Sequence, residues 1–345
     1  MTNARKRRLP AEWERQSFIQ FTFPHKKSDW VNNLKKAVIC FVNIIEKVAG
    51  FEPVLVGCEN ISDTQSLFSN QTTFPIHFEE VSSNDCWARD HGAITVLDGR
   101  QPKLLNFIFN GWGNKFESSL DNSITLELSH TLFSTLSIVS KKFILEGGSI
   151  ESDGKGVLLT TKQCLLSGSR NSDMTQSQIE EFLMHELGLK KILWLNHGAL
   201  IGDDTDAHVD TLARFCAVDT IAYVKCKDSQ DVHYKTLKCM EDELIDFKDL
   251  SGKKYKLVAL PMPDACYDQE SNRLPATYAN FLLVNDGVLV PSYGVRQDQE
   301  ALDRIQNIFP KRKVIGVDCL PLIQQNGSLH CISMQYPAAV KIILK

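Results

Sequence analysis

The chain has 345 residues, of which 43% are hydrophobic and 23% charged, and its formal net charge is −4. This composition is typical of a soluble globular protein with a large core. The acidic balance gives no general attraction to nucleic acids or acidic membranes, so we expect neither as a partner. A charged substrate is therefore expected to be a cation.

The ten cysteines are scattered along the chain without a Cys-x-x-Cys pair, which indicates reduced thiols in a cytoplasm rather than disulfides or a zinc site. Segment 1–9 is basic but no apolar stretch follows it, so we predict a solvated tail and not a signal peptide. The longest apolar run, Ala37–Ile45, is too short to span a membrane and indicates a buried helix.

The elements follow in chain order from apolar periodicity and turn residues. Strands are predicted at 17–23, 53–57, 74–78, 93–97, 103–109, 142–145, 156–161, 191–195, 217–224, 256–260, 281–284, 287–291 and 313–317. Helices are predicted at 30–49, with Asp29 as its N-cap, and at 119–135, 176–187, 232–248 and 298–308. No linker separates two domains, so residues 10–345 are predicted to form one mixed α/β domain.

The densest polar segment lies at 202–210. If a strand begins at His208 and continues through 211–218, its period of two places His208 and Asp210 on one face, where a base and a carboxylate would enter one site. An acidic surface loop before a strand explains the same residues equally well. His and Asp at this spacing can also ligate a divalent cation.

Two further acids lie beside predicted strands. Asp90 precedes the strand at 93–97, although a surface pair with Arg89 is the alternative. Glu146 ends a hydrophobic strand before two glycines, which would expose its carboxylate at a sheet edge, although a plain turn explains it nearly as well. Trp112 lies between glycines and is either an anchor for its loop or the wall of a pocket for a cation.

Cys331 lies in an apolar stretch near the C-terminus and, taken alone, is a small buried hydrophobe. Its neighbour His330 would point away from it in a strand and is predicted to be structural. Positions 90, 146, 208, 280 and 331 are separated by 56, 62, 72 and 51 residues, a loose period that a degenerate repeat would produce.

A cysteine, a histidine and several carboxylates together suit one chemistry. A guanidinium group is planar, cationic and rich in N–H donors, so carboxylates bind it in bidentate geometry. A thiolate can attack its central carbon, and a histidine can protonate the departing ammonia and then activate water. These residue types therefore indicate hydrolysis of a guanidino compound without a metal or cofactor.

The chain resembles the agmatine deiminase branch of the guanidino-group-modifying pentein superfamily, whose relatives include bacterial peptidyl-arginine deiminases. The similarity runs from about Pro10 to Pro337, and the order and spacing of its motifs make it specific. The motifs are Pro10–Glu14, Phe23-Pro24-His25, Asp29-Trp30, Trp87-x-Arg89-Asp90-x-Gly92, Phe109-Asn110-x-Trp112-Gly113, Glu146–Ser149, Leu158–Thr161 with Cys164-Leu165, Asp206-x-His208-x-Asp210, Tyr278-x-Asn280-Phe281, Pro291 with Gly294, and His330-Cys331.

The resemblance implies an α/β-propeller of five ββαβ-type modules around a central channel. It implies that Cys331 is the nucleophile, that His208 is the general acid and base, and that Glu146 orients His208. Asp90 and Asp210 would hold the guanidinium nitrogens. Trp87, Trp112, Asp204, Asn280 and Gly327 would line the pocket and meet the rest of the substrate.

The sequence also departs from the usual pattern of the family. Ala207 and Asn326 stand where the family commonly has glycine, Ala93 stands where a proline is frequent, and segment 292–295 replaces a more polar one. None of these positions is a proposed chemical group, so the departures concern the shape of the pocket.

The expected activity is the conversion of agmatine and water to N-carbamoylputrescine and ammonia in the cytoplasm, and a homodimer is the assembly considered. Free or peptidyl arginine is the alternative substrate within the family. Two other classes remain open: a metal-dependent hydrolase that uses Asp203, Asp204, His208 and Asp210, and a non-catalytic protein that binds polyamines or arginine.

Overall fold

The computed structural model describes residues 7–69 and 71–342, which form five small β-sheets. The strands are β1 Arg7–Arg8, β2 Gln16–Thr22, β3 Val54–Cys58, β4 Ile76–Glu80, β5 Ile94–Asp98, β6 Gln101–Ile108, β7 Ser137–Ile144, β8 Ile150–Ser152, β9 Val157–Thr161, β10 Lys191–Leu195, β11 Ala213–Ala217, β12 Thr220–Lys225, β13 Lys256–Pro261, β14 Leu282–Val284, β15 Gly287–Ser292, β16 Lys313–Asp318 and β17 Ser333–Pro337.

The α-helices are α1 Leu34–Val48, α2 Ile61–Gln65, α3 Ala88–His91, α4 Gly111–Asn114, α5 Ile124–Leu128, α6 Lys162–Leu165, α7 Gln176–Leu187, α8 Tyr234–Asp246, α9 Asp298–Ile308 and α10 Leu320–Ile323. Short 3-10 turns lie at Asp29–Asn32, Asp121–Ser123, Gly147–Ser149, Val209–Thr211 and Tyr278–Asn280.

The five sheets repeat one pattern of strands. In β5–β6–β7, β8–β9–β10, β11–β12–β13 and β14–β15–β16, the first two strands are antiparallel and the third is parallel to the second. In the fifth sheet, the C-terminal strand β17 takes the first position against β2, and β3 and β4 follow in parallel. The chain is thus built of five ββαβ-type modules, and its last strand completes the module that its first residues begin.

The parallel pair in each module requires a crossover, and the helices lie in these crossovers. Helix α1 connects β2 to β3, α7 connects β9 to β10, α8 connects β12 to β13, and α9 connects β15 to β16. Helix α1 shows why the chain folds this way: its buried positions Ala37, Phe41, Ile44, Ile45 and Val48 follow a helical period and form one apolar face. Full burial of such side chains contributes about 1.5–3 kcal/mol each.

Most predicted elements are confirmed within a few residues, including helices 176–187 and 298–308 and strand 191–195. The predicted helix 119–135 is wrong in length, because only 124–128 is α-helical and the following Ser, His and Thr residues favour turns. Asp29 does not cap α1. It lies in a 3-10 turn, and α1 begins at Leu34.

The predicted solvated tail is partly wrong. Arg7 and Arg8 form β1, which pairs antiparallel with β5. Arg8 donates to Glu14 and Arg7 donates to Glu186, so both guanidinium groups are engaged by carboxylates. Residues 1–6 of that tail lie outside the described residues.

Among the described residues, no helix is long and apolar enough to cross a bilayer.

Candidate active site

Five polar side chains occupy equivalent places in the five modules. Each lies two to five residues before the first strand of its module: Asp90 before β5, Glu146 before β8, His208 before β11, Asn280 before β14 and Cys331 before β17. These are the five positions whose loose period the sequence revealed. Because the modules repeat one path, the turns that carry these side chains meet at one place.

Cys331 is buried at this meeting point. Its Sγ lies 3.4 Å from Asn280 Oδ1 and 3.9 Å from Asp210 Oδ2. Burial and the charges of Asp210 and Asp90 raise the pKa of the Cys331 thiol well above its usual value. Without a bound cation the sulfur is therefore a thiol and not a thiolate.

His208 is also buried, and the predicted strand that was to carry it is wrong. His208 precedes the 3-10 turn Val209–Thr211, and β11 begins only at Ala213. The turn, and not an extended period of two, brings His208 and Asp210 into one site. The His208 Nδ1 lies 3.7 Å from Asp90 Oδ1, while its Nε2 has no hydrogen-bond partner among the described residues. Burial lowers the pKa of His208 to about 3, so the ring is neutral and can accept a proton.

Asp90 is fixed by two donors. Its Oδ2 accepts from Trp112 Nε1 at 2.9 Å and its Oδ1 accepts from the Gly148 amide at 2.9 Å. Burial and the neighbouring charges of Asp210 and Glu146 raise the pKa of Asp90 well above its usual value. A cation that enters the site would therefore favour ionisation of Asp90 and be bound by its carboxylate.

The loop that delivers Trp112 is strained. All four residues of Gly111–Asn114 have left-handed φ values, between 55° and 89°, and Trp112 itself has φ 55°. A residue other than glycine in the left-handed region costs about 1–2 kcal/mol. Strain of this kind persists where surrounding contacts enforce it, and here the indole is held on Asp90. Trp112 is thus both a buried anchor and a wall of the pocket.

Asp210 is bound on one oxygen only. Its Oδ2 lies 2.7 Å from His330 Nδ1, whereas its Oδ1 is buried without a hydrogen-bond partner among the described residues. Although burial opposes ionisation, the hydrogen bond from His330 and the charge of Arg214 lower the pKa of Asp210. The site therefore holds an ionised carboxylate with a free oxygen.

Gly148 is the point on which the site converges. A Cβ placed on Gly148 would lie 2.6 Å from His208 Nδ1, 3.0 Å from Asp90 Oδ1 and 3.1 Å from Asp210 Oδ2. No side chain fits at these distances. The second glycine after Glu146 therefore allows three reactive side chains to approach one another.

Glu146 has a different partner from the one predicted. Its carboxylate accepts from Arg170 Nε at 2.8 and 3.1 Å, and both side chains are fully buried. An oxygen of Glu146 also lies within 4.8 Å of a ring nitrogen of His208. Glu146 is adjacent to His208, but its hydrogen bonds go to Arg170, so the predicted orienting role stays a prediction.

A pocket leads from Cys331 to the surface and encloses about 390 Å³, including open solvent at its mouth. Its lining residues are Asp29, Asp85, Trp87, Asp90, Trp112, Phe116, Asp204, Thr205, Gln325, Asn326, Gly327 and Cys331. Four of these are aspartates, and none of the described lining residues is Lys or Arg. The lining therefore favours a cation.

Hydrogen bonds and close packing fix the side chains that form the walls of the pocket. Asp85 accepts from Trp87 Nε1 at 3.0 Å and fixes the indole. A Cβ on Gly327 would lie 2.0 Å from the Trp87 ring, so the glycine makes room for that wall. Asp204 accepts from Asn326 at 3.2 Å, and burial raises the pKa of Asp204 to about 6.

The residues proposed for a metal site do not form one. The oxygens of Asp203 accept from the amides of Thr205 and Ala207 in its own loop. Among the described residues, the side-chain groups that could hold a metal are Glu146 with Cys164 and His208, and Glu12 with Glu151 and His330. Neither group contains the predicted set, and the glutamates of both are ion-paired with arginines.

Comparison with known proteins gives the family. Residues 8–337 match the model of the Porphyromonas-type peptidyl-arginine deiminases. The chain belongs to this family. It is a hydrolase of the guanidino-group-modifying pentein superfamily, and the five modules are the pentein fold.

Some similar proteins are named agmatine deiminases and others arginine deiminases. A putative agmatine deiminase of Legionella pneumophila is 33% identical over 97% of this chain and 96% of its own length. The solved structure of a putative arginine deiminase from Porphyromonas gingivalis is 44% identical, with a TM-score of 0.93 and coverage of 98% of this chain and 100% of that chain. An agmatine deiminase of C. jejuni, solved with substrate bound, is 38% identical, with a TM-score of 0.90 and coverage of 96% of each chain.

Two of the positions at which the sequence departs from the expected family pattern have left-handed backbone. Ala207 and Asn326, where glycine was expected, have φ values of 65° and 64°. Glycine adopts this left-handed region without cost, and asparagine tolerates it better than other residues. Asn326 suits its left-handed position, whereas Ala207 adopts the same region at a cost of about 1–2 kcal/mol.

Sequence reasoning missed three residues near the site. The sequence predicts only a structural role for His330, yet it donates to Asp210, and its position beside Cys331 is the available signal. Glu12 stands out in the sequence only as part of a motif, and Arg170 stands in none of the motifs. Both lie far along the chain from their partners, so the sequence contained no local signal for their contacts.

Proposed function

We propose that this deiminase-family hydrolase converts agmatine and water to N-carbamoylputrescine and ammonia. The observation that carries the proposal is a thiol beside two buried carboxylates, at the end of a pocket whose lining contains acids and no described basic residue. A guanidinium at the inner end and an ammonium at the outer end match this distribution of charge.

Binding begins at the carboxylates. A guanidinium has N–H donors in a fixed plane, and carboxylates accept them in bidentate geometry. The free Oδ1 of Asp210 is available for one such donor, and the oxygens of Asp90 keep capacity for more. The positive charge offsets the two carboxylates that raise the pKa of Cys331, so substrate itself favours the thiolate.

The chemistry then follows in two halves. His208 takes the thiol proton, the thiolate forms a C–S bond to the guanidinium carbon, and His208 returns the proton to the departing nitrogen as the C–N bond breaks. Ammonia leaves, and an S-alkylthiouronium remains on Cys331. In the second half His208 takes a proton from water, the oxygen attacks the same carbon, and the C–S bond breaks. The hydroxyl proton returns to the sulfur, the ureido product leaves, and His208 gives its proton to solvent.

Asp204 supports agmatine over arginine. Its side chain accepts a hydrogen bond from Asn326, and both residues line the pocket that contains Cys331. The carboxylate of free arginine would meet Asp29, Asp85 and Asp204 without a cationic partner in the described lining. The family name and the Porphyromonas gingivalis relative keep arginine and peptidyl arginine as the competing substrates.

The test compares ammonia release from agmatine, free arginine and an N-acyl arginine amide at equal concentrations. We expect the highest kcat/KM for agmatine, and we expect Asp204→Asn to raise the KM for agmatine about tenfold, because it removes one charged contact. A higher kcat/KM for either arginine compound would refute agmatine as the substrate and keep the enzyme class. Tight agmatine binding without ammonia release would point to a binding protein.

A further inference from the structure

His330 lies between two carboxylates. Its Nδ1 is 2.7 Å from Asp210 Oδ2, and its Nε2 is 2.8 Å from Glu12 Oε1 and 3.0 Å from Arg214 Nη2. The ring is fully buried. Both nitrogens therefore meet charged groups, and no water is needed to explain their orientation.

These contacts determine that the Nδ1 nitrogen of His330 is protonated. An ionised carboxylate only accepts hydrogen bonds, so Nδ1 must carry the proton that it donates to Asp210. At Nε2 there are two arrangements: an N–H that donates to Glu12, or a lone pair that accepts from Arg214. In both arrangements His330 is a donor toward Asp210.

The consequence appears at the carboxylate of Asp210. Because Oδ2 is held by His330, Oδ1 is the oxygen left without a partner among the described residues. Asn280 contacts the backbone of both residues. Its Nδ2 donates to the Asp210 carbonyl at 3.4 Å, and its Oδ1 accepts from the His330 amide at 2.9 Å. His330 thus limits the rotation of the carboxylate, Asn280 fixes the backbone that carries it, and Oδ1 keeps its capacity to accept from a ligand.

Glu12 connects this arrangement to the N-terminal segment. Its carboxylate lies 3.1 Å from Arg89 Nη1, accepts from Gln335 Nε2 at 3.2 Å, and pairs with Arg214. Glu12 is therefore either the acceptor for His330 Nε2 or the partner that holds Arg214 beside that nitrogen. Through Glu12 the segment before β2 reaches the site.

We propose that Glu12 and His330 are positioning residues for guanidine hydrolysis: Glu12 fixes the imidazole of His330, and His330 holds Asp210 so that Oδ1 faces the guanidinium. The inference rests on the proposed function only in that a guanidinium is the reacting group, which agmatine and arginine share.

The first experiment replaces the ring. His330→Leu removes the donor to Asp210, whereas His330→Asn places an amide N–H near the position of Nδ1. We expect kcat/KM for agmatine to fall at least about 100-fold in His330→Leu and to recover to within about tenfold of the wild type in His330→Asn. Equal activity of the two folded variants would overturn the proposal.

If His330→Leu does not fold, His330→Gln replaces it in the comparison. Its amide lies near the position of Nε2 and leaves Asp210 without the donor, so we expect it to be less active than His330→Asn. Activity equal to or above that of His330→Asn would overturn the proposal.

The pH profile separates positioning from general support of the fold. The charged and titratable groups that face Asp210 are Asp90, Asp203, His208, Arg214, His330 and Cys331. Loss of the His330 donor raises the pKa of Asp210, so activity is lost at a higher pH as the solution is acidified. We expect the acid limb of kcat/KM in the less active ring variant to move up by about one pH unit. A limb at the wild-type position would contradict the proposal.

Glu12 has a matched control two residues away. Glu14 is also a glutamate of the N-terminal segment, but it pairs with Arg8 and the Ala11 amide. We expect Glu12→Ala to lower kcat/KM about tenfold and Glu14→Ala to leave it within about twofold. Equal effects would overturn the role of Glu12.

Failure of the proposed function is distinguishable, because the wild type is assayed first on agmatine, free arginine and N-acyl arginine amide. If another guanidine is the substrate, the same variants are tested on that guanidine, with the same expected results. If none of the three is hydrolysed, the proposed reaction fails; the positioning is then tested by agmatine binding in a calorimeter, where wild-type affinity in His330→Leu would overturn it.

Discussion

The two sides of the His330–Cys331 dipeptide differ in how their buried polar groups are paired. Behind His330, the guanidinium of Arg214 donates to Glu12, Glu151 and two backbone carbonyls, so its charge is fully compensated. Beside Cys331, His208 Nε2 and Asp210 Oδ1 have no partner among the described residues. The difference suggests that the first region stabilises the fold and the second is arranged to receive a ligand.

The largest effect should follow from removing the nucleophile. Cys331→Ala deletes the only group that forms the covalent bond, so we expect ammonia release to fall at least about 10⁴-fold. The thermal midpoint should change little, because the resting thiol is neutral and alanine is a small apolar side chain at the same buried position. Normal turnover by this variant, measured with product confirmed by mass spectrometry, would end the assignment of Cys331.

Removal of the cation from the paired region around Arg214 should lower the free energy of unfolding. Arg214→Met leaves Glu12 and Glu151 buried without their cation, which typically costs about 3–5 kcal/mol of unfolding free energy. The control is Arg15→Met, because the pair of Arg15 with Asp286 is exposed and 4.0 Å long, and such pairs contribute about 0–1 kcal/mol. Urea unfolding measures both, and similar values for the two variants would erase the contrast between the regions.

The convergence on Gly148 predicts a smaller effect on activity. Gly148→Ala forces a methyl group between His208, Asp90 and Asp210, so we expect kcat/KM to fall about 100-fold from displaced groups, with a cost of about 1–3 kcal/mol in stability. Gly168→Ala is the control, because a Cβ there meets no atom within 4 Å. Full activity of Gly148→Ala would show that the three side chains tolerate separation.

The smallest effect concerns the free thiol. Because burial, Asp210 and Asp90 raise the pKa of Cys331, its thiolate fraction should increase about tenfold with each pH unit between 6 and 9. Iodoacetamide alkylation of the peptide that contains Cys331, followed by mass spectrometry, measures this rate. A plateau below pH 8 would mean that the thiolate already exists without substrate.

Much of the fold was predictable from local pattern. The predicted bounds of helices 176–187 and 298–308 agree with the structure because their apolar positions are periodic, and in the first helix Thr175 and Gly188 also cap the two ends. The helix predicted at 119–135 was wrong because polar residues at its C-terminal half favour turns. The strand predicted at His208 was wrong because alternation cannot distinguish a strand from a short turn that precedes one.

The sequence by itself determined the inventory: one chain of alternating strands and helices, five polar positions with a loose period, and residue types that suit guanidine chemistry. Only the tertiary structure decided the pairings. It assigned Glu146 to Arg170, made His330 the partner of Asp210, and brought Glu12 from the N-terminal segment to the site. The physical reason is that periodicity and propensity act over a few residues, whereas these hydrogen bonds join atoms separated by 24 to 318 positions in the chain.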